Sequence, residues 1–282
     1  MIAPFELEWC GGLSEKVLAR RRPAADDVPW GTFDLGRYTP ELLAAAQNAW
    51  TDGAISEYAT AMALTRLAGA LLEARAPIDL TGMVADFILD EMIHVRENAR
   101  MAMELGGATP TEVDHAALGA TSTADDPRER VAEIALRVAC VGEAFSLPML
   151  QALARASRHP LPRAVLSRIA REEAPHARAG AEIVGWALDG LDEAARQRLA
   201  VAALDEIGLL TSYWRGLTPA NAETGLTRAG HRVDLVLELG WLEAGAYAEL
   251  ARRSARKRVV DPLIALGIPL DRRAALAVIA EE

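Results

Sequence analysis

Cysteine is scarce: 282 residues carry only Cys10 and Cys140. Two thiols make neither a disulfide framework nor a CxxC metal knot, and a reducing cytoplasm is the expected compartment. Long apolar runs are also missing. No stretch approaches the roughly 18 residues of a membrane span. The N-terminal MIAPFELEWCGGLSEKVLARRRP lacks the apolar run of a secretory leader. Positive charge is in deficit, 30 Lys and Arg against 40 Asp and Glu, and the net charge of −10 disfavours nucleic acid and anionic membranes as partners. Disorder is disfavoured too, since 51% of residues are hydrophobic and Gly and Pro are modest. The expectation is a soluble intracellular chain.

What is abundant is alanine and leucine, which favour helix. The length suits one large domain or two small ones, and either can bury a core. Residues 1–38 mix Pro4, Pro23 and Pro29 with Trp9, Trp30 and Phe33. They read as an ordered arm that lays its aromatics on the body. Thr39-Pro40-Glu41 is a helix start, a hydroxyl cap followed by proline in the first turn. That helix runs to about Arg75 and stops before Pro77. A second runs from near Asp79 to Gly106-Gly107, and residues 107–124 follow as a polar loop. Asp126-Pro127-Arg128-Glu129 opens a third, which reaches about Ser157. Pro160 and Pro162 open a fourth, which ends at Asp189-Gly190. Residues 191–282 read as a helical extension, with segments at about 191–213 and 232–257 and a shorter one after Asp271. The basic run Arg252, Arg253, Arg256, Lys257 and Arg258 reads as a solvated helix end.

Each of the four long helices carries an apolar stripe in steps of three and four. Leu43, Ala46, Trp50, Ala61, Leu64 and Leu71 mark the first, with Glu57 in mid-row. Val84, Phe87, Met101 and Leu105 share a face with Glu91 and His94. Ala132, Leu136, Ala139, Leu147, Leu150 and Ala154 share one with Glu143, and Val165, Ile169, Ile183 and Ala187 surround Glu173 and His176. Charge on a core-facing stripe needs a partner, because an isolated carboxylate in an apolar medium costs tens of kcal/mol by Born estimates.

The six residues form a repeat: a lone Glu, then Glu-x-x-His. Glu57 precedes Glu91 by 34 residues and Glu143 precedes Glu173 by 30, so folding each helix pair about its turn brings them to similar depth. Glu and His at i and i+3 project from one side of a helix. Two divalent cations would cancel four carboxylates and leave the interior neutral. The alternative is a pair of partly buried salt bridges with nearby arginines. A third Glu-x-x-His, Glu112 to His115, sits in the polar loop without a matching Glu and reads as coincidence.

The segments DEMIHVRENARMAMELGG and EEAPHARAGAEIVGWAL resemble the metal helices of the ferritin-like di-iron carboxylate superfamily. The resemblance covers residues 39–190. It implies an all-α fold, an antiparallel four-helix bundle with the arm 1–38 and the extension 191–282 in one compact unit. It also implies a dinuclear centre, usually of iron, that reacts with dioxygen or peroxide. Glu57, Glu91, His94, Glu143, Glu173 and His176 are its ligands by that match, with Glu91 or Glu173 bridging.

Ligating imidazoles usually donate their second N–H to a carboxylate. Asp90 is therefore assigned to His176 and Glu172 to His94, against the alternative of solvent-facing acids. Glu97, one turn past His94, is an extra ligand or, by preference, the partner of a surface arginine. Pro148 and Pro175 interrupt helix interiors near the site, and Pro175 falls inside a Glu-x-x-His, which the superfamily pattern does not usually contain. Gly53, Ala54, Ala61, Ala139, Cys140 and Gly180 are small residues near the ligands. They either leave a substrate pocket or serve close helix packing.

The donor set suits iron or manganese, and the resemblance implies iron. The expected function is a non-haem di-iron oxygenase or oxidase that uses dioxygen on a small organic substrate, fed by an external electron donor. The alternatives are a ferritin-type iron-oxidising storage protein and a dimanganese catalase or peroxide-reducing protein. Residues 191–282 either cap the pocket or form the face of a homodimer.

Overall fold

A computed structural model describes residues 2–21, 28–215 and 231–280. The described residues are mostly helical, with almost no strand. Four long rods lie between Pro40 and Leu188: α2 (Pro40–Glu73), α3 (Ile78–Glu104), a composite rod, and α6 (Pro160–Leu188). The composite rod is α4 (Pro127–Ala135), a π-helical stretch Leu136–Glu143, and α5 (Ala144–Ala156). The starts follow local chemistry. Thr39 accepts from the Leu42 amide, and Asp126 accepts from the amides of Arg128 and Glu129. Gly106 and Gly107 take positive φ just after α3, where an L side chain would be strained.

The rods pack side by side, α2 on α3, α3 on α6, α6 on the composite rod, and that rod back on α2. Two buried apolar clusters run across all four. One holds Leu42 and Trp50 of α2, Met101 and Leu105 of α3, Leu153 of α5, and Leu161, Val165 and Ile169 of α6. The other holds Leu64 and Leu71, then Leu80 and Phe87, then Val131 and Leu136, then Ile183 and Ala187. The first cluster takes the N-terminal half of α2 and the C-terminal half of α3, and neighbouring rods are therefore antiparallel.

The chain after α6 adds α7 (Glu193–Leu210), α8 (Val233–Glu238), α9 (Ala244–Ser254), a π-helical stretch Ala255–Val260, α10 (Asp261–Ala265) and α11 (Arg272–Ala280). Leu199, Ile207, Trp214, Val259, Leu263 and Ile279 extend the second cluster. Near α8, Val236 and Leu239 close the end of the first. The single helix expected over 232–257 is broken at Leu239–Glu243. Gly240 has φ +95° there, and a Cβ would sit 2.9 Å from Pro162 Cβ. The basic run is not at a helix end: it spans the join of α9 and the π-helical stretch, inside continuous helix from Ala244 to Ala265, with Arg253, Arg256, Lys257 and Arg258 exposed.

The third stripe needs correction. Leu147 and Leu150 are only partly buried, whereas Phe145, Met149 and Leu153 are buried. The reason is α9, which packs on that side of α5 and joins Phe145 and Met149 to the second cluster, and Ser254 Oγ donates to the Phe145 carbonyl at 2.9 Å.

The arm also departs from expectation. Phe33 stacks on His159 and the Trp30 ring lies under Arg100, but Trp9 is 56% exposed. Residues Gly12–Arg21 form a helix, α1, that buries none of its side chains. Pro23 lies outside the described residues. Ile2–Pro4 (β1) pairs antiparallel with Glu112–Asp114 (β2), so the polar loop contains a strand. No helix among the described residues is long and apolar enough to cross a membrane.

Candidate metal centre

Between the two apolar clusters lies one polar layer. Glu57 enters it from α2, Glu91 and His94 from α3, Glu143 from the end of the first π-helical stretch, and Glu173 and His176 from α6. Burial is nearly complete for five of these, at 0% exposure for Glu91 and His94 and 6% or less for Glu143, Glu173 and His176. Glu57 alone is partly accessible.

The donor atoms fall into two overlapping groups. Glu57, Glu91, His94 and Glu173 form one, and Glu91, Glu143, Glu173 and His176 form the other, each with its atoms within 4.8 Å of one another. Glu91 and Glu173 belong to both. Each group thus has one imidazole, one carboxylate of its own and two shared carboxylates. That is the donor set for two cations bridged by two carboxylates.

The imidazoles turn Nδ1 inward. His94 Nδ1 lies 2.7 Å from Glu173 Oε1, and His176 Nδ1 lies 2.8 Å from Glu173 Oε2 and 3.0 Å from Glu91 Oε1. These contacts are short, yet both Nδ1 atoms and all four oxygens of Glu91 and Glu173 are buried without an aligned hydrogen bond. Orphaned buried polar atoms are costly. A cation at their common focus would satisfy all of them, and oxygen plus imidazole suits iron or manganese. The residues present fit such a pair.

The outer ring nitrogens face acids in a crossed arrangement. Glu172 on α6 puts Oε2 3.0 Å from His94 Nε2 on α3. Asp90 on α3 puts Oδ2 3.5 Å from His176 Nε2 on α6, an ion-pair distance rather than a good hydrogen bond. An ionised carboxylate only accepts, so Glu172 takes the Nε2 proton of His94, and a cation that displaced the inner proton would meet the Nδ1 lone pair. The Phe87 ring packs 4.1 Å from the His176 ring.

Charge without a cation is resolved by protons. Burial, then the charges of Glu91 and Glu173, hold Glu57 and Glu143 well above the ordinary carboxylate range. For His176 burial disfavours charge, but Asp90, Glu173 and Glu91 outweigh it and push the imidazole up to about 12. His94 is raised in the same way by Glu172, Glu173 and Glu91 against its burial. Glu173 goes down, because the two imidazoles overcome its burial.

Glu97 is not at the surface. It is 3% exposed and pairs with Arg168, with Nη1 2.6 Å from Oε1. Arg168 was not among the residues the sequence singled out. Its only signal was the four-residue step to Glu172, which its Nε reaches at 3.0 Å. Pro148 and Pro175 stay inside α5 and α6. The small residues pack helices. A Cβ on Gly53 would lie 2.5 Å from Asn98 Oδ1, and one on Gly180 would lie 2.8 Å from both N and Sγ of Cys140. Ala54, Ala61, Ala139 and Cys140 are buried. None of the six lines the surface cavity beside Gly119–Thr123 or the one beside Trp9 and Trp30. Glu112 lies in β2, and His115 lies beside the Phe5 ring, apart from the layer.

Neither the protein-family models nor the curated proteins contain a match to this chain.

Proposed function

We propose that this chain is a ferritin-like four-helix carboxylate protein that holds two iron ions and acts as an oxygenase or oxidase on a small organic substrate. The observation that carries the reading is the sharing of Glu91 and Glu173 between two four-donor groups. Salt bridges alone would not leave their oxygens without an aligned hydrogen bond between two apolar clusters.

Glu57 and His94 would complete one cation's ligands, and Glu143 and His176 the other's. When bound, the iron pair would supply redox equivalents and Lewis acidity for the reduction of dioxygen. Glu172 and Asp90 orient the imidazoles and keep their protons on the outer nitrogens. The apolar layers on either side exclude water from reactive species. Glu57 is the one candidate ligand that is partly exposed as a residue, and the α2 side is where dioxygen and substrate would enter. The Tyr213 ring lies tilted, 5.9 Å from the ring of Phe145, two residues after Glu143, and is 45% exposed. Insertion of one oxygen atom into substrate, with the other released as water, consumes two electrons and two protons, and an external donor must provide the electrons.

The test is metal analysis of the purified chain together with an anomalous-scattering map. Two iron ions per chain, one at each donor group, support the reading. A chain that takes up neither iron nor manganese ends it.

A further inference from the structure

The run Arg252, Arg253, Arg256, Lys257 and Arg258 concentrates positive charge in a chain whose acids outnumber its bases, 40 to 30. A helix end would explain such a run, since cations there meet the last carbonyls. This one lies inside continuous helix, where α9 joins the π-helical stretch Ala255–Val260. Arg253 sits three and four residues from Arg256 and Lys257, spacings at which like charges repel. None of the five makes an ion pair among the described residues. The flanking acids are Glu249 and Asp261, and Asp261 is already paired with Arg272.

The inner side of the same helix reaches the rod that carries Glu143. Ser254, Ala255, Val259 and Val260 are buried. Ser254 Oγ donates to the carbonyl of Phe145, two residues after Glu143, at 2.9 Å. The stretch Ala255–Val260 packs on α5 and on the other π-helical stretch, Leu136–Glu143. π-Helical turns are rare and gather at functional sites. Here two of them lie against each other, one ending in a candidate ligand and the other carrying cations. A single helix, about 10 Å across, separates the patch from that rod.

The surroundings select the kind of partner. No large apolar side chain of α9, the π-helical stretch, α10 or α11 is exposed. A membrane surface needs such residues to insert, and single-stranded nucleic acid needs rings to stack on. The net charge of −10 also repels an extended polyanion. A protein with a compact acidic face meets the patch alone. Contacts of this kind are small and salt-sensitive, as electron-transfer encounters are.

We infer that this face docks an acidic protein that delivers electrons one at a time. The electron role rests on the iron reading above, whereas the docking stands without it. Each encounter oxidises the carrier by one electron. Two encounters supply the electrons that one turnover consumes, and the protons come from water.

Calorimetric titration of the metal-free full chain with an acidic two-iron, two-sulfur ferredoxin tests the docking. Binding should weaken at least about tenfold as ionic strength rises from about 0.02 to 0.3 M. The triple variant Arg253→Glu, Arg256→Glu and Lys257→Glu should bind at least about tenfold more weakly, with unchanged helical circular dichroism. Lys16→Glu, Arg20→Glu and Arg75→Glu make the same change in net charge at exposed positions elsewhere, and together they should stay within about twofold of the parent. In the iron-loaded chain the patch variant should be reduced more slowly by reduced ferredoxin and at the parent's rate by dithionite. Equal losses in the two triple variants, no ferredoxin binding at about 1 mM, or tighter patch-dependent binding of duplex DNA or phosphatidylserine vesicles would each overturn the docking. A chain that binds ferredoxin through the patch but takes up no iron would end the iron reading and the electron role, and leave the docking.

Discussion

Arg168 and His94 hold the same carboxylate from opposite sides. Arg168 Nε lies 3.0 Å from Glu172 Oε1, and His94 Nε2 lies 3.0 Å from Glu172 Oε2. Asp90, the corresponding acid for His176, stands off at 3.5 Å. The two imidazoles are therefore not equally supported. Arg168 also neutralises Glu97 in a region where both side chains are more than nine-tenths buried. Arg168→Met should cost about 3–5 kcal/mol, because it leaves buried carboxylates without their cation. Adding Glu97→Leu should recover part of that loss. Denaturant melts of the two variants measure both effects. In the double variant, metal affinity at the His94 group should fall about 10–100-fold through the loosened Glu172, with the His176 group retained. Loss of both metals together would mean that Arg168 acts on the whole layer rather than on one imidazole.

Shared and unshared glutamates make different stoichiometric predictions. Glu57 and Glu143 each belong to one donor group, whereas Glu91 and Glu173 belong to both. Glu143→Ala should leave the group of Glu57, Glu91, His94 and Glu173 intact and retain one ion per chain. Glu57→Ala should mirror it. Glu91→Ala and Glu173→Ala should retain none at low metal concentration. Elemental analysis after dialysis against a weak chelator distinguishes the classes. Equal losses in all four variants would contradict the bridging assignment.

The metal-free protein should lose stability as pH rises. Glu57 and Glu143 keep their protons in the folded chain above the usual carboxylate range, and His176 keeps its proton up to about 12. The unfolded chain releases the same protons near ordinary pKa values, about 4.3 for Glu and 6.5 for His. The folded state thus binds more protons through neutral pH, and its stability falls as pH climbs above those values. Cations take the place of the protons, so metal uptake should release protons and strengthen with pH. Thermal melts at pH 6, 7 and 8 should show the metal-free midpoint falling and the increment from added iron growing. A metal-free midpoint that rises over this range would refute the buried-proton account.

The helices were legible because their start signals are local: Thr39 and Asp126 cap where a hydroxyl and a carboxylate before proline should cap. The polar layer was legible because Glu and His interrupt stripes whose period is set by one helix alone. Features that depend on two chain segments were not. Arg168 looks like any exposed helix arginine until α3 supplies Glu97. Phe145 and Met149 look off-stripe until α9 covers them. The π-helical stretch that ends at Glu143 has no marker in composition. It coincides with the close approach of α6 at Gly180, where an added Cβ would meet backbone and thiol of Cys140. Gly240 did mark the break after α8, but its need for positive φ rests on the fit against Pro162 and Trp50.

That close approach gives a prediction with its own control. Gly180 and Gly185 both lie inside α6. Replacing glycine by alanine within a helix stabilises by about 0.5–1 kcal/mol when space allows. At Gly185 a Cβ meets nothing within 4 Å, and Gly185→Ala should gain that amount. At Gly180 the new carbon would lie 2.8 Å from Cys140 N and 2.9 Å from the Ala139 carbonyl carbon, atoms that move only if the π-helical stretch moves. Overpacking of this kind costs about 1–3 kcal/mol, so Gly180→Ala should be a net loss despite its better helix propensity. The displaced stretch carries Glu143, and the variant should bind metal more weakly at the Glu143 and His176 group than at the other. Urea denaturation and metal titration of the pair check both signs. A stabilised Gly180→Ala with two full metal sites would show that the approach of α6 to Cys140 does not position Glu143.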